Sequence, residues 1–173
     1  MKAGMIPELI NVYNVYLKGK RIATDAEVEL PELEAMTETS SASGVLGEIE
    51  VPATGHFGSM VTKIKFAILH DDYFKLLNTN KALELTLRAD GQYSEQKTGD
   101  IEQTLIKIVV RGRVKTATLG TLEKGKKGEA ELEIETHYLK VEIGGESRLE
   151  LDKYNFKCVV NGKDLLKQIR KNS

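Results

Sequence analysis

Residues 128–143 read GEAELEIETHYLKVEI, and the run alternates strictly. Glu131, Glu133, Glu135 and His137 share one side of an extended chain, and Ala130, Leu132, Ile134, Thr136 and Tyr138 share the other. Period two predicts a strand with one buried and one wetted face. The three carboxylates stand about 7 Å apart, two strand rises each. After Tyr138 the phase inverts, so that Leu139, Val141 and Ile143 are apolar while Lys140 and Glu142 are polar. A slip of one residue predicts either a β-bulge or a strand that passes from one sheet to another.

The same reading extends along the chain. Val12 to Leu17 is a strand, 18–20 (KGK) a turn, and Ile22 to Leu30 alternates again, with Ile22, Thr24, Ala26, Val28 and Leu30 facing away from Ala23, Asp25, Glu27 and Glu29. Met60 to Leu69 puts Met60, Thr62, Ile64, Phe66 and Ile68 on one face. A short helix follows, capped by Asp71 and Asp72, with Tyr73, Leu76 and Leu77 on one side. Strands are expected at 82–89, 101–110, 114–119, 148–152 and 155–160, and a last helix over 165–171 behind Asp164. Residues 90–100 (DGQYSEQKTGD) read as a polar loop. With seven to nine strands, one or two short helices and no βαβ alternation, the fold class is mainly β, an antiparallel sandwich or barrel, in one domain over 1–173.

Residues 31–59 stand apart. They are rich in Ser, Thr, Gly and Pro, with one short strand at 48–51, and are far longer than an ordinary connection. Their apolar content (Leu33, Met36, Val45, Leu46, Ile49, Val51 and Phe57) is high for a solvated loop. The segment reads as an arm that packs on another subunit, the alternative being a surface loop.

A net charge of −1 argues against a protein that wraps nucleic acid. The single cysteine, Cys158, allows no disulfide within the chain and fits a reducing compartment; in FKCVV it reads as a buried thiol rather than a reactive one. There is no signal-peptide pattern and no run of about 20 apolar residues, so folding in the cytoplasm without a membrane anchor is expected.

Catalytic chemistry finds no foothold. His56, His70 and His137 are far apart and lack close ligand spacing. Residues 55–59 (GHFGS) lack a nucleophile-elbow order, and 125–128 (GKKG) lacks the Ser/Thr and helix of a phosphate loop. No catalytic, cofactor or metal residue is assigned and no enzymatic activity is expected. Arg111 and Arg113 flank Gly112, and two readings stand for them: solvated side chains at a bulge, or salt bridges to a neighbouring subunit.

Together these segments resemble the major tail tube proteins of contractile-tailed bacteriophages and of related contractile bacteriocins (tailocins). The likeness covers nearly the whole chain. It is carried by NVYNVYLKG at 11–19, VELPELEAMTET at 28–39, SGVLGEIEVPATGHFGSM at 43–60, LTLRADG at 85–91, VVRGRVK at 109–115 and the block from 132 to 171. The resemblance implies hexameric rings stacked into a rigid hollow tube. Each subunit would give strands to a continuous barrel around the lumen, and a sheath would surround it. Baseplate or initiator and tape-measure proteins would be further partners. DNA would be transient cargo in a phage; in a bacteriocin the tube would pierce an envelope. The protein would be found in a virion tail or a released particle.

On that basis Glu131, Glu133 and Glu135, with Glu27 and Glu29, are candidates for the lumen face; the alternative is that they face outward and pair with lysines of an adjacent subunit. Leu33, Met36, Val45, Leu46, Ile49 and Phe57 are candidates for ring-to-ring contact, and Arg111 and Arg113 for salt bridges between subunits. Rival readings are a secretion-system tube ring, a monomeric ligand-binding barrel and a small hydrolase on a β-scaffold.

Overall fold

The computed structural model describes residues 4–22, 26–41 and 46–172. Twelve strands and two helices follow in order among them. They are β1 (Met5–Leu17), β2 (Lys20–Ile22), β3 (Glu27–Glu29), β4 (Ala35–Ser40), β5 (Ile49–Phe57), β6 (Val61–Phe66), α1 (Asp71–Leu76), β7 (Leu83–Glu95), β8 (Ile101–Thr118), β9 (Ala130–Ile143), β10 (Glu146–Asp152), β11 (Lys157–Val160), β12 (Lys163–Asp164) and α2 (Lys167–Asn172). All pairings are antiparallel, and the expected mainly β class with two short helices is what the chain adopts.

β9 organises the main sheet. It pairs with β8 along nearly its whole length. On its other edge it changes partner: Ala130 to Glu135 lie against β6, and Tyr138 to Ile143 against β10. Between the two halves the register with β8 jumps from Gly112↔Thr136 to Arg111↔Tyr138, so His137 is an extra residue. The phase slip is therefore both a bulge and a change of partner. The bulge keeps Lys140 and Glu142 on the side already taken by Glu131, Glu133 and Glu135. The polar face runs unbroken along β9. Opposite the bulge sits Gly112, where a Cβ would lie 2.4 Å from the Glu135 carbonyl oxygen. Only glycine lets the two backbones approach that closely.

The order β2-β1-β7-β8-β9-β6-β3 curls so that its first and last strands are successive pieces of chain. Val15, Ile22, Ala26, Ile64, Phe66, Leu85, Val110, Leu132 and Ile134 fill the inside, and Tyr73 and Leu76 of α1 pack among them. Among the described residues, Thr62 and Thr136 are the polar side chains buried here, and they bond each other at 2.8 Å. From this curled core the outer halves of β1, β7, β8 and β9, with β10–β12, continue the sheet as a wing.

Several expectations are corrected. The strand from Ile22 to Leu30 is divided: β2 pairs with β1, while β3 pairs with β6. Alternation marks burial and is blind to which neighbour supplies the hydrogen bonds. Ala23, Thr24 and Asp25 lie outside the described residues. β1 begins at Met5 rather than Val12, and β7 runs through the supposed polar loop to Glu95. Those polar residues extend because β1 and β8 flank them on both sides. The arm is a β-hairpin, β4 with β5, with Ser40↔Ile49 at its far end. The α1 cap is His70, whose Nδ1 accepts from the Asp72 amide, and Asp71 and Asp72 occupy the first turn instead.

Gly112→Ala is expected to destabilise the fold by about 2 kcal/mol or more, since backbone must shift beside a filled core. Urea unfolding followed by circular dichroism checks this; a loss near zero would mean that the bulge is not tightly held.

Candidate assembly surfaces

The glutamate file does not stand alone. β6 lies beside it and aligns Lys63 with Glu133 and Lys65 with Glu131, while β3 on the far side brings Glu27 and Glu29. Lys63 reaches Glu133 at 3.6 Å, and Lys65 pairs with Glu29, holding that carboxyl below its usual range. The face is striped acid–lysine–acid rather than uniformly acidic. The lysines, about seventy residues away in sequence, carried no signal in the strand itself.

Glu135 has a different task. Its carboxylate accepts from the Ser59 hydroxyl at 2.5 Å and the Met60 amide at 3.4 Å, and Lys153 Nζ lies 4.0 Å away. Thr136 N–H donates to the Met60 carbonyl, and Lys153 Nζ to that of Gly58. These bonds fix where the hairpin leaves the core, and the Gly58 amide closes its other leg on the Glu34 carbonyl at 2.9 Å.

The hairpin projects its side chains. Met36, Ile49 and Val51 are about half exposed, Leu33 is 40 % exposed and Leu46 fully so. Phe57 is partly covered near the hairpin base, and Val45 lies outside the described residues. Gly55 rests on Leu166, and the His56 ring meets Phe156 at 5.8 Å.

Arg111 is engaged within its own chain. Its Nε donates to Glu84 at 2.7 Å, and its guanidinium lies 4.5 Å over the Tyr138 ring. Arg113, on β8, aligns with Glu135 of β9 and makes no ion pair among the described residues. The wing's polar face is likewise paired, Glu142 bonding Lys107 at 3.0 Å and Lys140 at 2.6 Å.

His137, expected at the solvated end of the acidic file, is half-buried, its ring stacked on Tyr154 at 4.5 Å. Burial pushes its pKa below the ordinary 6.5, and Arg113 and Arg111 add to that against Asp152. Cys158 is buried, and burial raises its thiol.

One surface escaped the sequence reading. β1 from Met5 to Tyr13 has β7 on one side and, among the described residues, no strand on the other; β2 covers only Val15 to Leu17. Ile6, Leu9, Ile10 and Val12 are 49–58 % exposed along it. Glu8 and Asn11 are bulge residues that bond β7 side chains, Glu8 accepting from Gln92 at 2.7 Å and Asn11 donating to Asp90 at 2.8 Å. The signal was present in IPELINV, an apolar run too polar in its middle for a buried strand.

A filled core, an open apolar edge and a projecting apolar hairpin define a structural protein built to meet other chains. The chain belongs to the phage tail tube protein FII family, which it matches over residues 7–172. It is 25% identical over 169 residues to the tail tube protein of Escherichia phage P2, covering 96% of this chain and 97% of that protein. The likeness read from the segments above is borne out: this is a virion structural protein that forms part of a tail tube. No helix among the described residues is long and apolar enough to cross a membrane.

Two outcomes follow. Glu135→Ala should speed hydrogen exchange at the Met60 amide while leaving β8 protected; unchanged exchange there would remove Glu135 as the anchor of the hairpin base. His137 is held neutral in the fold, so the unfolded chain takes up its proton first as pH falls. Stability should be level above pH 6.5 and decline below it. His137→Gln should flatten that decline between about pH 6.5 and pH 5, where carboxylates do not yet titrate, in chemical unfolding at each pH.

Proposed function

We propose that the chain closes into hexameric rings through the free edge of β1, and that the rings stack into a rigid hollow tube by way of the β4–β5 hairpin. The observation that carries this is the unpaired edge of Met5 to Tyr13, with its exposed Ile6, Leu9, Ile10 and Val12. An open apolar edge is a hazard in a monomer and disappears when strands of successive subunits join around a ring.

The unbroken polar face of β9 lines the channel. Glu27, Glu29, Glu131, Glu133 and Glu135 lie on it, as does the Lys107–Glu142–Lys140 cluster. Interleaved and largely paired charges offer a phosphate backbone no continuous basic track, so DNA slides without the counterion release that would hold it. Arg111 is already committed to Glu84, and Arg113 is the arginine available to a neighbour's carboxylate. Leu33, Met36, Leu46, Ile49 and Phe57, with Val45, meet the adjacent ring. A contractile sheath surrounds the tube, baseplate or initiator and tape-measure proteins set its start and length, and the tube conducts DNA in a phage or pierces an envelope in a bacteriocin. Assembly takes place in the bacterial cytoplasm. The mechanism is mechanical and uses no catalytic residue.

Negative-stain microscopy over a concentration series tests the reading. Wild-type protein should give six-fold rings and tubes. Ile10→Lys with Val12→Lys should abolish rings while the β circular-dichroism signal persists. Deletion of 40–50 should leave rings that do not stack. Tubes of ordinary length from either variant would overturn the assigned contact.

A further inference from the structure

The hairpin and the β8–β9 connection stand at opposite ends of β6. Both legs of the hairpin leave the core near Val61, where Gly58 bonds Glu34 and Met60 bonds Glu135 and Thr136. At the other end, past Phe66, the Ala67 carbonyl accepts from the Gly128 amide at 2.8 Å, and the residue 119–128 loop is seated there. Six strand residues, about 20 Å, separate the two.

The two ends are chemically complementary. The segment 31–59 carries five glutamates (Glu32, Glu34, Glu38, Glu48 and Glu50) and no lysine or arginine. The 119–128 loop carries Lys124, Lys126 and Lys127 against a single glutamate, Glu123. Glu123 is taken by Lys126 at 2.8 Å, while Lys124 and Lys127 make no ion pair among the described residues.

Apolar surface is exposed at both ends as well. The hairpin offers Met36, Leu46, Ile49 and Val51. The loop offers Leu119 at 58 % exposure and Leu122 fully exposed, with Ile68 at 66 % on the adjoining turn. The loop is not slack: the Thr121 amide bonds the Gly128 carbonyl at 2.7 Å, and Lys126 N–H bonds the Glu123 carbonyl. At Gly120 a Cβ would fall 1.9 Å from the Gly128 oxygen. Its leucines are thus held outward by a closed neck.

We infer that the acidic hairpin of one copy docks on the basic 119–128 loop of a second copy, with Leu122 and Ile68 receiving Met36 and Ile49. The inference rests on the assembly reading above and names the surface that the hairpin meets. A contact between opposite ends of one molecule is head-to-tail and propagates without closing, as a stacked tube requires. Charge selects the pairing and excludes hairpin-to-hairpin contact, and apolar burial holds it.

Charge exchange tests it. One variant reverses the loop (Lys124→Glu, Lys126→Glu, Lys127→Glu), one the hairpin (Glu38→Lys, Glu48→Lys, Glu50→Lys), and one carries both sets. Each single set should lower the sedimentable tube fraction about tenfold or more, and the combined chain should recover it. Wild-type assembly should also weaken as salt rises. A combined variant no better than its parents, beside tube-forming wild type, overturns this contact and leaves the tube reading intact. Wild type that forms neither ring nor tube overturns the tube reading itself. As a measurement independent of charge, Met36→Cys with Leu122→Cys should give an oxidised ladder on denaturing gels, since Cys158 is buried; single cysteines that ladder equally would overturn the assignment.

Discussion

Everything in this chain hangs on one strand satisfying three neighbours. β9 must pair with β8 along one edge while its other edge serves β6 first and β10 afterwards. A regular strand passing between two such partners would leave backbone groups unpaired at the handover, which a buried position does not tolerate. At the handover the Thr136 N–H donates to the Met60 carbonyl and the His137 carbonyl accepts from the Lys153 N–H, and the extra residue at His137 accommodates the change of partner. It lets the chain bend toward the new partner while the polar face stays polar, and Gly112 makes room opposite. The Thr62–Thr136 bond sits one residue from the handover and closes the remaining polar account of the buried side.

From the same strand come both of the molecule's ends. Glu135, at the last position before the bulge, bonds the hairpin exit. Ala130, at the first position, lies beside Phe66 and the seat of the basic loop. The polar stripe, the hairpin exit and the seat of the basic loop are thus placed by one element and cannot be varied independently. A change that moves the bulge alters the hairpin's exit as well as the polar face.

Much of this was legible in the residues. The alternation and slip in 128–143 specified the buried set from Ala130 to Thr136 and the irregularity, because burial imposes period two and a bulge breaks it by one; Tyr138, expected on the buried side, instead meets Arg111 and Glu150 beyond the bulge. Residues 61–66 were equally clear. What escaped was long-range. DGQYSE is polar and glycine-bearing, yet it is strand because β1 and β8 hold it on both edges. PATGHF contains Pro52 and Gly55 and became strand through pairing with β4. Lys63 and Lys65 changed the meaning of the glutamates, and only the β6–β9 register brings them there. The open edge of β1 was missed because unsatisfied backbone leaves no mark in composition.

β6 joins the hairpin base to the seat of the opposite loop, and its hydrogen bonds to β3 and β9 lie across that line. A pull or push between the two ends therefore loads those bonds in shear, all at once, rather than peeling them singly. Shear is the direction in which a short antiparallel patch resists most, because no bond can yield before its neighbours. The β3–β6–β9 patch therefore meets force along the line between the two ends in shear.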